Sequence, residues 1–189
     1  YVATGLLGSQ TEHWQVAGAG MVSDLHARGH EIALHTHGHG PVPDMPVAAF
    51  EADLAANRAA LAGLVPEGDR ASFAYPFALA GLRHKRRMAR HARSSRSIQP
   101  GINRGTIDPD FLLAHELIDP FFSPGDIGRL FDGLAEGGGW LIFFSHGVSA
   151  DPSPFGVSPD LLATALSEAR SRDLDILTVG AALDHFGLA

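Results

Sequence analysis

Glu31-Ile32-Ala33-Leu34-His35-Thr36-His37-Gly38-His39 is a short apolar run that ends in three imidazoles within five residues. Histidines this close together are costly to bury and hard to explain as packing. Neutral imidazole is also the commonest protein ligand for transition metals. On a continuing strand, His35 and His39 stand about 13 Å apart, too far to share an ion. On a turned or helical segment, positions four apart come within about 6 Å. Gly38, Gly40 and Pro41 favour a turn at this point. The strand is therefore expected to stop at His35, and the chain to curl so that His35 and His39 meet while His37 points elsewhere. The competing reading is a polar turn whose histidines are solvated.

Working outward, strand and helix patterns alternate. Strands are expected at Tyr1–Thr4, Glu31–Leu34, Ala71–Tyr75, Arg93–Ile98, Trp140–Ser145 and Ile176–Val179. Helices are expected at Ala17–Arg28, Val47–Leu64, Ala78–Ala92, Pro124–Glu136, Ser158–Arg172 and Ala181–Phe186, with a short one near Pro109–Ala114. Ser123 and Ser158 have the character of caps, and Pro159 suits a first helical position. Repeated strand–helix units imply an α/β fold with a parallel sheet, open or closed into a barrel. In either form ligands gather at the C-terminal ends of the strands. The chain reads as a single domain over residues 1–189. It starts at Tyr1 in what looks like a strand already under way, so the N-terminus is expected to be incomplete.

Composition narrows the chemistry. At 189 residues and 45% hydrophobic content, the chain can bury a substantial core. There is no cysteine, which leaves histidine and carboxylates as the strong metal ligands. A net charge of -7 argues against a general nucleic-acid binder. No apolar run approaches a membrane span, and no signal peptide is visible, so a cytoplasmic location is the weak expectation. The oligomeric state is left open. Arg83 to Arg96 holds seven of the 14 Lys and Arg residues; it reads as the solvated face of an outer helix rather than an anion patch. Gly18-Ala19-Gly20 follows no strand and is rejected as a dinucleotide loop. His115-Glu116 starts like a zincin motif, but Asp119 stands where the second histidine belongs.

Three strand ends carry polar groups: His35, then Tyr75-Pro76-Phe77, then Ser145-His146-Gly147. His146 follows a strongly apolar strand and would sit at its rim, where it is a candidate general acid or base. Taken in order, His35-Thr36-x-x-His39, Phe73-Ala74-Tyr75-Pro76-Phe77 and Phe144-Ser145-His146-Gly147 resemble three motifs of the polysaccharide deacetylases, the NodB-homology or carbohydrate esterase family four group. The resemblance runs over essentially the whole chain and includes Leu174 to Val179.

That resemblance implies a distorted (β/α) barrel, here lacking its first strand. It also implies a hydrolase that uses a divalent metal to remove acetyl groups from an acetylated saccharide. The metal would be zinc, with cobalt, manganese and nickel as alternatives. By the same resemblance His35 and His39 are the imidazole metal ligands, and His146 is the acid that protonates the leaving amine. The backbone N–H of Phe77, where the family usually has tyrosine, would help hold the oxyanion. Tyr75, Pro76 and Trp140 are expected near the substrate, with packing as the other reading for Trp140.

Two departures stand out. The family's Thr-Phe-Asp-Asp-Gly motif, which supplies the base and a carboxylate ligand, is not in this sequence. Ala74 stands where many members have an arginine that orients the base, and Arg104 is the substitute suggested from sequence. Asp108 and Asp110 are the nearest acids for supporting His146. Rival readings are a non-catalytic saccharide-binding relative and a hydrolase of a non-sugar C–N bond. An unrelated amidohydrolase barrel would instead use His35 and His37 as its metal pair.

Overall fold

The structure is a computed structural model that describes residues 1–66 and 72–188. Ala71, the expected start of one strand, and Ala189, the last residue of the single-domain reading, lie outside the described residues. Six short parallel segments stand side by side in chain order: Val2, Leu34, β1 (Ser72–Ala74), β2 (Ser94–Arg96), Leu112 with β3 (His115–Glu116), and β4 (Phe143–Phe144). Parallel neighbours need long crossovers. α1 (Ala19–Ala27), α2 (Val47–Ala62) and α3 (Leu82–Met88) fill the first three, and α4 (Pro124–Gly137) joins β3 to β4. α5 (Pro159–Ser171) and α6 (Val179–Phe186) follow β4. No described helix is long and apolar enough to cross a membrane.

This is a mixed α/β fold, and among the described residues no ladder joins β4 back to Val2. A closed barrel is therefore not formed by these residues. The expected strands at Tyr1–Thr4 and Glu31–Leu34 shrink to single bridges at Val2 and Leu34. Ile176–Val179 forms no strand: Thr178 instead caps α6, its hydroxyl accepting from Ala181 N at 3.2 Å. The expected helix over Ala78–Ala92 is cut down to α3, because Pro76–Ala78 forms a separate tight turn. The helices with side-chain caps fall within one or two residues of their expected limits. Ser123 and Asp126 form a reciprocal capping box at α4, and Ser158 accepts from Leu161 N at α5.

The main core lies where α1, α2 and α3 cover the first strands, with Leu34, Phe50, Leu54, Leu61, Phe73 and Met88 buried together. Asn57 is a polar side chain fully buried beside this core. Asn57 of α2 donates through Nδ2 to Val2 O at 2.9 Å, Thr4 Oγ1 at 3.0 Å and Thr36 O at 2.7 Å. Its Oδ1 accepts from His35 N at 3.3 Å. One turn earlier, the Asp53 carboxylate accepts from His37 N at 2.8 Å and Gly38 N at 3.0 Å. The helix thus ties the first strand to the histidine turn. Gly5 allows the closest approach: its N–H donates to His37 O at 2.9 Å, and a Cβ there would meet that oxygen at 2.7 Å.

Replacing Asn57 by leucine keeps the volume and strands several buried backbone groups at once. Asn57→Leu is expected to lower unfolding free energy by about 3 kcal/mol or more, read from urea denaturation. A loss below about 1 kcal/mol would show that this crosslink is dispensable.

Candidate active site

The turn after Leu34 does bring His35 and His39 together. Their Nε2 atoms lie 3.1 Å apart. His35 Nδ1 sits 2.8 Å from Ala74 O, so Nδ1 carries the proton and Nε2 is left with its lone pair. Two nitrogens on one tetrahedral zinc stand about 3.3 Å apart. The spacing therefore fits a shared cation. His37 turns away, with Nδ1 2.9 Å from Thr4 Oγ1. Among the described residues no third His, Asp or Glu joins the pair to make a metal-holding group.

The imidazoles are tuned toward the neutral form. Burial holds His35 well below the ordinary histidine range; the Ala74 carbonyl opposes this, and the charges of His39 and Arg96 add to it. Burial also lowers His39. His146 is lowered chiefly by burial, with the Phe155 carbonyl opposing and Arg96 and His39 contributing.

Backbone strain collects here. Of the five non-glycine residues with positive φ among the described residues, Thr36, His39, Phe77 and Ala78 are at this site. The Thr36 hydroxyl accepts from His39 N at 3.1 Å and closes the turn. Phe77 is 59% exposed, with its ring centroid 4.8 Å from that of His39. The turn's own hydrogen bonds use the Ala78 and Leu79 amides, donating to Tyr75 O and Pro76 O.

His146 lies under an aromatic group that sequence reasoning missed. Trp14 stacks on its ring, with centroids 4.9 Å apart and planes at 27°. Phe155 stands edge-on to Trp14 at 6.0 Å, and its carbonyl accepts from His146 N at 3.2 Å. Trp14 is held by a tight hairpin in which the Thr11 hydroxyl accepts from Trp14 N at 3.1 Å. The signal was a tryptophan in an otherwise polar turn after the first strand, but its target is distant in sequence.

Other expected site residues are packed instead. Tyr75 is buried, its hydroxyl donating to Asp110 O at 3.3 Å, and burial pushes its phenol up to about 12. Pro76 is buried beside it. Trp140 is buried against Phe186, with centroids 6.0 Å apart, because α6 folds over the end of its strand. None of the three is presented to a substrate as expected. Asp108 pairs with Lys85 and caps the turn at Pro109–Phe111. Arg104 is exposed and donates to Gly133 O on α4, so it does not serve as the substitute cation. The arginine that does face the site is Arg96, registered beside Ala74 across the β1–β2 ladder. Its charge reaches both His35 and His146. A basic residue ending a strand next to Ala74 was its only sequence signal.

The polysaccharide deacetylase family model matches residues 6–94, which include His35, His39 and Phe77. Three solved structures are similar in fold. The Xyl-CE4 domain of a multidomain xylanase from the hindgut metagenome of Trinervitermes trinervoides is 11% identical, with a TM-score of 0.54, over 89% of this chain and 71% of that one. A polysaccharide deacetylase from Bacillus cereus is 13% identical with a TM-score of 0.50. A candidate polysaccharide deacetylase from Bacillus anthracis is 11% identical with a TM-score of 0.51. Each Bacillus match covers 61% of this chain but only 35% of the other protein. No curated protein matches the chain significantly. Over residues 6–94 this chain is similar to the polysaccharide deacetylase family, and its fold is similar to that of the three solved structures.

Proposed function

We propose that this chain carries the active site of a metal-dependent hydrolase that removes the acetyl group from an N-acetylated saccharide. The observation that carries the reading is the 3.1 Å convergence of the His35 and His39 Nε2 atoms, with His35 Nδ1 tied to Ala74 O. These two residues would hold a divalent cation, zinc first and cobalt, manganese or nickel as alternatives. Such an ion supplies Lewis acidity toward the acetyl carbonyl and toward water. The donor set fits as half of a site; a further ligand and a base complete it. The parallel segments in chain order support a distorted (β/α) barrel around that site.

The remaining roles follow from chain groups. The Phe77 N–H is free of its turn and suits the developing oxyanion. His146, neutral at neutral pH, takes up a proton and returns it to the departing amine nitrogen. Trp14 fixes the plane of that imidazole and offers an aromatic edge to a sugar.

In full-length protein, His39→Ala is expected to lose bound metal while His37→Ala retains it, measured by elemental analysis. The reverse pattern would replace the deacetylase reading with the His35–His37 alternative. His146→Ala is expected to keep its metal and lose about 10²–10⁴-fold in acetate release from N-acetylated oligosaccharides. Metal without acetate release in the wild type would point to a saccharide-binding relative, and release only from ureides or imides to a non-sugar hydrolase.

The neutral imidazoles also set an acid limit. Their folded-state values lie below the ordinary 6.5, so the unfolded chain binds more protons once pH falls under about 6.5. Metal-free protein should therefore lose stability from pH 7.5 to pH 5 in urea titrations, and His35→Gln should flatten that slope. An unchanged slope would mean that His35 is not held neutral by the fold.

A further inference from the structure

Four arginines line one concavity on the outside of α3. Its volume is about 370 Å³, and its walls are Val47, Arg83, Arg86, Arg87 and Arg90. Arg83, Arg86 and Arg87 belong to α3, and Arg90 follows in the turn that ends it. Spacings of three and four residues put all four on one side of the helix. His84 and Met88 are buried and seat the opposite side in the core. His84 Nε2 donates to Met45 O at 2.9 Å, and its ring stands edge-on to Phe50 at 5.3 Å. The helix is thereby held at an angle that turns its arginines outward.

Pattern alone favours a solvated basic face here, but the pairing of these charges is uneven. Lys85 pairs with Asp108 and Arg93 with Asp184. Arg87 Nε lies 3.7 Å from Glu51 Oε1, an oxygen that His91 Nε2 also approaches at 4.0 Å. Arg83, Arg86 and Arg90 are exposed and form no ion pair among the described residues. Carboxylates are not scarce, since the chain holds 21 Asp and Glu against 14 Lys and Arg. Each of the four arginines has a like-charged neighbour three or four residues away, an arrangement that weakens a helix. α3 has neither a side-chain cap nor an acid in its first turn to offset this. α2 begins at Val47, also without a side-chain cap or an early acid, and the positive end of its dipole adds to the same field. An anion in the concavity relieves the repulsion.

The guanidinium fork matches phosphate oxygens in pairs of hydrogen bonds. From Arg83 to Arg90 the helix rises about 10 Å, so linked phosphates engage more of the cluster than one phosphate can. The concavity is of the size that takes a small molecule. A net charge of -7 opposes the approach of a long polyanion, whereas a small anion can enter the local positive field. We propose that this concavity binds a small oligophosphate, a molecule carrying a di- or triphosphate group, through Arg83, Arg86, Arg87 and Arg90. The site shares no residue with the histidine turn and does not depend on the hydrolase reading.

The test is calorimetric titration of full-length protein with inorganic tripolyphosphate in about 0.15 M salt. The protein is stripped of metal first, so that no ion on the histidine pair can hold the probe. Tripolyphosphate is expected to saturate one site and to bind about tenfold or more tighter than orthophosphate. The double variant Arg86→Gln, Arg90→Gln should lose about tenfold or more, and lysine at both positions should recover part of that loss. Arg104→Gln, an exposed arginine outside the cluster, should bind like wild type. Relief of like-charge repulsion should leave the double glutamine variant melting no lower than wild type, which separates lost binding from lost fold. Adenosine triphosphate binding more tightly than tripolyphosphate would add a nucleoside to the ligand, and equal binding would leave the phosphate chain as the whole of it. The proposal is overturned if no saturable binding occurs up to millimolar tripolyphosphate, or if the double glutamine variant binds as well as wild type. It is also overturned if a single-stranded oligonucleotide binds the cluster more tightly than either probe, which would make this a nucleic-acid surface.

Discussion

The histidine turn is held from one side by a single face of α2, and the rest of the site depends on that attachment. Asn57 and Asp53 lie one helical turn apart, so their side chains point the same way. Between them they satisfy the amides of His35, His37 and Gly38 and the carbonyls of Val2 and Thr36. A rotation of α2 by one residue would break all of these together. The apolar side chains Phe50, Leu54 and Leu61 prevent that rotation by seating the helix in the main core. Packing therefore sets the helix angle, and the helix angle sets where His35 and His39 meet.

This attachment also accounts for how the site tolerates its backbone. Non-glycine residues at positive φ cost about 1–3 kcal/mol each and persist only where surroundings over-determine them. Thr36 and His39 are such residues, and both are braced: Thr36 O by Asn57, and His39 N by the Thr36 hydroxyl. Phe77 and Ala78 sit directly after two buried residues, Tyr75 and Pro76, which fix the chain where the positive-φ turn begins. Burying Tyr75 and Pro76 is thus what presents Phe77. Tyr75 and Pro76 thus act as anchors for the exposed Phe77.

What was legible in the sequence divides along physical lines. Helices with side-chain caps could be read to within a residue or two, because Ser123 and Ser158 act within one turn of where they stand. The His35–His39 meeting was also legible, since it depends on spacing and on a local turn. Strands were read less well, because an apolar run reports burial, while a strand needs a partner ladder; Val2 and Leu34 keep only isolated bridges. The two tryptophans show the limit most clearly. Trp140, in an apolar run, admits both packing and substrate contact from sequence, and it is packed against Phe186 of α6. Trp14, in a polar turn, carries no local pattern that points to His146, yet it stacks on that ring. Each outcome is decided by chain far away in sequence, which local pattern does not encode.

Electrostatics link the two halves of the site. A divalent cation held by His35 and His39, as proposed, would be repelled by the fixed positive charge of Arg96, and the lowered dielectric of the interior would strengthen that repulsion. Neutral imidazoles contribute lone pairs but no negative charge to offset it. The aromatic faces of Tyr1 and Phe144 soften the Arg96 charge without reversing it.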